Sequence, residues 1–130
     1  MREAMVRMLR DRIADLLAIY AFGSRMRGLA RPESDLDLAV LVAGYADALV
    51  LFDVSGDIAD LAGCSVDLLD LRAASTVMQY QVLTTGQRWW MKDKQVDLFE
   101  AAVLSEKIAL DTARAGLLLD IQQRGTIYGR

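Results

Sequence analysis

Residues 19–42 read IYAFGSRMRGLARPESDLDLAVLV, and this stretch decides how the chain is built. An apolar segment runs into Gly23-Ser24, ten residues intervene, and Asp35-Leu36-Asp37 opens a second apolar run ending at Val42. In an extended strand successive side chains alternate faces, so residues two apart point the same way about 7 Å apart. Asp35 and Asp37 therefore share one face, and Leu36, Leu38 and Val40 the other. Adjacent carboxylates repel, and burying them without a cation is costly. Hard oxygen ligands of this kind favour magnesium or manganese over zinc. Gly23 lets the backbone approach a ligand, and Ser24 offers a hydroxyl and free N–H groups to a phosphate. The two flanking strands are expected to be antiparallel neighbours. Together these features describe a crevice for a nucleoside triphosphate, held at its tail by Gly23-Ser24 and at its reacting phosphorus by metal-bound carboxylates. Taken singly, each part has a plainer reading: Gly-Ser pairs are common, and Ser-Asp ahead of a strand is often only a turn.

A third carboxylate follows from the chain order. After the second strand, a helix is expected over residues 46–62, with Leu49, Phe52, Ala59 and Ala62 on one side, and then a strand over 65–71, SVDLLDL. A strand, helix, strand crossover is right-handed and makes its two strands parallel, so both begin at the same sheet edge. Asp67 then lies level with the Asp35 and Asp37 pair. Asp70, three residues on, faces the other way and reads as a strand-end or turn residue.

The motif resembles the signature of the DNA polymerase beta-like nucleotidyltransferase superfamily. The longer text from Gly23 to Val42 is similar to the minimal nucleotidyltransferase (MNT) proteins, small antitoxins paired with HEPN-domain toxins. The resemblance implies an α/β (α+β) fold, with a small mixed sheet of three to four strands, flanking helices and a long C-terminal helix. By the same resemblance Asp35, Asp37 and Asp67 are the catalytic and metal-binding set, expected to hold two Mg2+ ions. With no histidine in the chain, Asp67 is the expected proton acceptor. Gly23 and Ser24 are the expected ATP-binding residues, with Arg25, which adjoins Ser24, as a further phosphate contact. The activity implied is transfer of AMP from ATP to a tyrosine of the partner toxin, a ribonuclease, in a type VII-like toxin–antitoxin pair. Two other readings stay open: a nucleotidyltransferase acting on a small aminoglycoside-like compound, and a non-catalytic antitoxin that works by occlusion.

Composition narrows the classes further. At 130 residues and 54% hydrophobic content, one domain spanning 1–130 with one core is expected. The net charge is −3 with interspersed signs, which argues against direct nucleic-acid binding as the main task. The chain has no histidine and a single cysteine, Cys64. Histidine bases, intramolecular disulfides and cysteine zinc clusters are thereby excluded, and acid–base work falls to carboxylates. The amino-terminal MREAMVRMLRDR lacks the apolar core of a signal peptide, and no stretch approaches the roughly 20 apolar residues of a membrane span. A cytoplasmic protein with no membrane association is expected.

The remaining elements read as follows. A helix over 2–14 places Met5, Met8, Leu9 and Ile13 on one face. A strand covers 17–22, and helical turns are expected between Ser24 and Ser34, with Pro32 as a stop and Arg25, Arg27 and Arg31 near the phosphates. A helix over 75–84 is capped by Ser75 and ends at Gly86. Trp89 and Trp90 form a short edge segment covering the core, although an aromatic pair with a basic flank can also stack a base. A long helix over 95–123 carries one stripe of Val96, Phe99, Val103, Leu110, Ala113, Leu117 and Ile121, and a second of Leu98, Ile108, Leu118 and Leu119. That is more apolar surface than one sheet face can bury, which points to a partner contact centred on Leu117, Leu118, Leu119 and Ile121.

Overall fold

The computed structural model describes residues 1–23 and 35–123, with side chains described to residue 120. The elements follow in the order α1 (Arg2–Arg12), β1 (Leu16–Phe22), β2 (Leu36–Val42), α2 (Ala48–Ala62), β3 (Val66–Asp70), α3 (Thr76–Thr85), β4 (Gln87–Met91) and α4 (Gln95–Gln123). One four-stranded mixed sheet has the order β3-β2-β1-β4. β1 is antiparallel to β2 and to β4, and β2 is parallel to β3, as the hairpin and the crossover require. The turns expected between Ser24 and Ser34, and the side chain of Ile121, lie outside the described residues.

Alternation along the two central strands sorts the core into two layers. Ile19, Ala21, Leu36, Leu38, Val40 and Val42 pack with Met5, Leu9 and Ile13 of α1 and Leu51, Val54 and Ile58 of α2. Leu17, Ala18, Tyr20, Ala39 and Leu41 pack on the opposite face with Val82 of α3 and Val96 of α4. β2 is buried on both faces apart from Asp37, because it has a strand on each side and helices above and below.

The buried face of α2 differs from the expected one. Leu49 and Phe52 are both 76% exposed, and Leu51, Val54 and Ile58 enter the core instead. The helix opens with ALVLF, apolar all round, so periodicity has no polar residue there from which to choose a face. Its end points are well marked: the Asp47 side chain accepts from the Leu49 and Val50 N–H groups, and Gly63 takes the left-handed conformation at the other end. Ser75 caps α3 by accepting from Met78 N–H.

β4 is an edge strand with a bulge. Ile19 pairs with Trp90 and Tyr20 with Arg88, so Trp89 is the extra residue. Both indoles consequently meet the α1 side of the sheet, where Arg2 lies over Trp89 and Arg10 over Trp90, at 5.3 and 4.6 Å from the ring centroids.

The root of α4 is tied to the sheet by a polar network. Tyr20 Oη donates to Glu100 Oε2 at 2.7 Å, and Arg88 bridges Glu100 and Asp97. Burial first, then the hydrogen bond to the Glu100 carboxylate, hold the Tyr20 phenol above its ordinary range, so it remains a proton donor. Tyr20→Phe is expected to cost about 1.5–3 kcal/mol, the net worth of a hydrogen bond to a charged group, and urea unfolding monitored by circular dichroism measures it.

Candidate active site

The catalytic corner begins where β1 ends. Phe22 is paired with Asp37 across the hairpin, and Asp37 is in register with Asp67 across the parallel pair. Asp35 immediately precedes β2. Side chains in register on adjacent strands point to the same face, here the face that carries α3 and α4. Three of the expected site residues therefore occupy one sheet edge beside Gly23. Asp70 is separated from them, and its carboxylate accepts from the Ala46 and Arg72 N–H groups at 2.9 and 3.1 Å. It is the turn residue that alternation foretold. Ser24 and Arg25 lie outside the described residues.

Gly23 is required twice over. Its φ is +85°, a region that L side chains rarely occupy. A Cβ at this position would also run into the Asp37 carboxylate, overlapping Oδ2 and reaching within 3.1 Å of Cγ. The glycine and the central aspartate are thus in direct apposition, and the bend is shaped around the carboxylate.

The electrostatics of the pair follow from this crowding. Asp37 has its pKa raised, first by burial, then by the charge of Asp67, then by that of Asp35, and last by the hydrogen bond with Asp67. Two hydrogen-bonded carboxylates need a shared proton or a cation between them. The donor set is all hard oxygen, it is half-buried at Asp37 and open to solvent at Asp35 and Asp67, and it fits a divalent cation of the magnesium class. Among the described residues no three acidic or cysteine side chains already meet in ligating arrangement. Asp37 and Asp67 touch, and Asp35 acts on them through its charge.

A stability prediction follows. Because the folded pKa of Asp37 lies above its ordinary value of 3.8, its stabilising contribution is complete below that pH and is lost as pH rises through the folded value. At neutral pH the ionised group strains the fold. Asp37→Asn is expected to raise Tm at pH 7.5 in EDTA, with the gain shrinking as pH falls through the raised folded value and gone once pH is below 3.8. Millimolar Mg2+ is expected to raise Tm of the unaltered chain more than that of the variant, and differential scanning fluorimetry reads both effects.

One supporting residue was not apparent as such in the sequence. Gly86 marks the end of α3, but its φ of −91° is open to any residue. Its need is steric, since a Cβ there would lie 2.5 Å from Val82 O, 2.6 Å from Ala21 O and 3.1 Å from Phe22 Cβ. Gly86 lets α3 close on the end of β1, directly behind the Gly23 bend. The only trace in the sequence is a glycine between a helix and a strand.

Known proteins similar to this chain place it in a family. Residues 4–95 match the family model described as polymerase beta, nucleotidyltransferase. The protein adenylyltransferase MntA of Shewanella oneidensis is 35% identical over 117 residues, covering 90% of this chain and 84% of that protein. A chain in the crystal structure of a toxin–antitoxin with AMP-PNP is similar at a TM-score of 0.80 and 34% identity, covering 93% of this chain and 98% of that one. A chain in the complex of tri-AMPylated Shewanella oneidensis HEPN toxin with MNT antitoxin is similar at 0.74 and 32%, covering 93% and 95%.

Proposed function

We propose, from the premise that this chain belongs to the polymerase beta nucleotidyltransferase family, that it is an antitoxin that inactivates a HEPN-domain ribonuclease toxin by transferring AMP from ATP to a toxin tyrosine. The observation that carries this reading is the apposition of Gly23, Asp37 and Asp67 at one sheet edge, in a chain whose relatives are named for protein adenylylation and appear with ATP analogue and AMPylated toxin. Residues 1–130 are read as one minimal nucleotidyltransferase domain working in the cytoplasm, and no helix among the described residues is long and apolar enough to cross a membrane.

Asp35, Asp37 and Asp67 would hold two Mg2+ ions. Bound there, divalent cations supply charge neutralisation at the phosphates and a lowered pKa for the attacking hydroxyl. The chain's own groups do the rest. Gly23, Ser24 and Arg25 hold the two departing phosphates, through backbone N–H groups, a hydroxyl and a guanidinium. The acceptor tyrosine oxygen forms a bond to the α-phosphorus in line with the bond to pyrophosphate, which breaks. The tyrosine proton passes to Asp67, which is open to solvent and can release it; with no histidine in the chain, a carboxylate is the available acceptor.

The test is to incubate the chain with ATP, Mg2+ and the product of the adjacent open reading frame, and to record intact masses of both proteins. AMP adducts on the partner, placed on tyrosine by fragmentation, are expected. An unmodified partner together with a labelled small hydroxyl compound would sink the proposal.

A further inference from the structure

The distal half of α4 has more apolar surface than its own sheet can use. Val96 and Val103 are buried and Phe99 packs on the core, and among the described residues α3 lies alongside 104–119: Thr76 Oγ1 donates to Glu106, and Lys107 lies over the Tyr80 ring. At 100° per residue, Leu110 and Leu117 continue the inward stripe of Val96, Phe99 and Val103 within an arc of roughly 60°. Leu104, Ile108, Ala115 and Leu119 form a second stripe of similar width, centred roughly 140° away. Both stripes are bare. Leu110 and Leu117 are 50% and 59% exposed and, with Val77 of α3, line a groove of about 340 Å³; Ile108 is 65% exposed on the outer side.

We propose that residues 104–119 of α4 are the arm gripped by the HEPN toxin, which covers both stripes rather than one. This rests on the functional reading above and adds the surface that brings the acceptor to the carboxylates. Leu104, Ile108, Leu110, Leu117, Leu118 and Leu119 of the arm are each between 37% and 65% exposed, and exposed apolar surface concentrated on one element marks a protein-contact site. Within the arm Lys107 bonds Asp111 one turn on and Glu106 accepts from Thr76, while Arg114 lines the groove, so the partner surface is apolar with an acceptor for one guanidinium. A second copy paired along α4 would cover one stripe of each helix and leave the other exposed. Chains that match this one over 93% of its length, α4 included, are found in complexes with a toxin.

Ile108→Asp tests the outer stripe and Leu117→Asp the inner one, with Ile108→Ser and Leu117→Ser as milder versions should aspartate loosen the helix. Toxin affinity is measured by calorimetry, Tm of the isolated chain by fluorimetry and its self-association by sedimentation. Each aspartate variant is expected to keep Tm near that of the unaltered chain and to weaken toxin binding about tenfold or more, the scale of one buried large side chain. AMP transfer is expected to recover when toxin is raised to saturation. Unchanged affinity in both variants overturns the inference, and an effect from one stripe alone overturns the two-sided grip. Loss of a homodimer with toxin binding intact assigns the arm to a second copy and overturns it as well. Tight binding of toxin by the unaltered chain with no AMP transfer would instead remove the catalytic reading and leave the grip standing on its own measurement.

Discussion

Asp37→Asn is expected to cripple AMP transfer, with the single-turnover rate on the partner toxin falling by about 10³ or more. The magnitude follows from the role: a cation that neutralises phosphate charge and activates the hydroxyl supplies several kcal/mol of transition-state stabilisation, and each 1.4 kcal/mol is tenfold in rate. Asp37 sits between the other two carboxylates, touching Asp67 and within electrostatic reach of Asp35, so its loss breaks the set at the centre. The amide keeps shape and removes only charge. Because the same substitution is expected to raise Tm at neutral pH, a loss of rate at unchanged or higher Tm is not assigned to unfolding. Rapid-quench measurement at saturating toxin decides the matter, and a residual rate within tenfold of the unaltered chain would contradict the account.

Gly23→Ala produces the second large effect, in both stability and rate. The left-handed backbone at φ +85° costs an L residue roughly 1–2 kcal/mol. The new methyl also strikes the Asp37 carboxylate, so the bend or the aspartate must move. A shift of about 1 Å at reacting groups costs on the order of 10² in rate, and AMP transfer is expected to fall at least that far. A double-mutant cycle separates the causes. In an Asp37→Gly background the collision is gone and only the backbone strain remains, so Gly23→Ala should lower Tm less there than in the unaltered chain. Equal Tm losses in the two backgrounds would mean that the glycine and the aspartate are not in apposition.

The parts of this molecule legible in the sequence are those governed by short periods. Strand alternation placed Asp35 and Asp37, and the handedness of the crossover placed Asp67 level with them and set Asp70 apart. The bounds of β2 and the start of α4 were readable because apolar runs meet polar or turn residues there. What escaped is set by three-dimensional register. The core face of α2 is Leu51, Val54 and Ile58 rather than Leu49 and Phe52, since its first turn is apolar in every direction. The bulge that turns Trp89 and Trp90 to the same side depends on pairing with β1, which no local pattern announces. Gly86 serves by absence of volume against Val82 and Ala21, a need visible only once α3 and β1 are packed. The excess apolar surface of α4 and its division into two stripes were legible, and the packing added that Val96 and Val103 anchor the helix while Leu110 and Leu117 stay exposed.

The central claim is that side chains from β2 and β3 gather divalent cations against the Gly23 bend. Its most direct test is anomalous diffraction from crystals of the chain with its toxin, grown with Mn2+ and a non-hydrolysable ATP analogue. The account predicts anomalous peaks within ligand distance, about 2.1 Å, of carboxylate oxygens of Asp35, Asp37 and Asp67, beside the phosphates. A triphosphate bound elsewhere, or manganese held without Asp37, would contradict it.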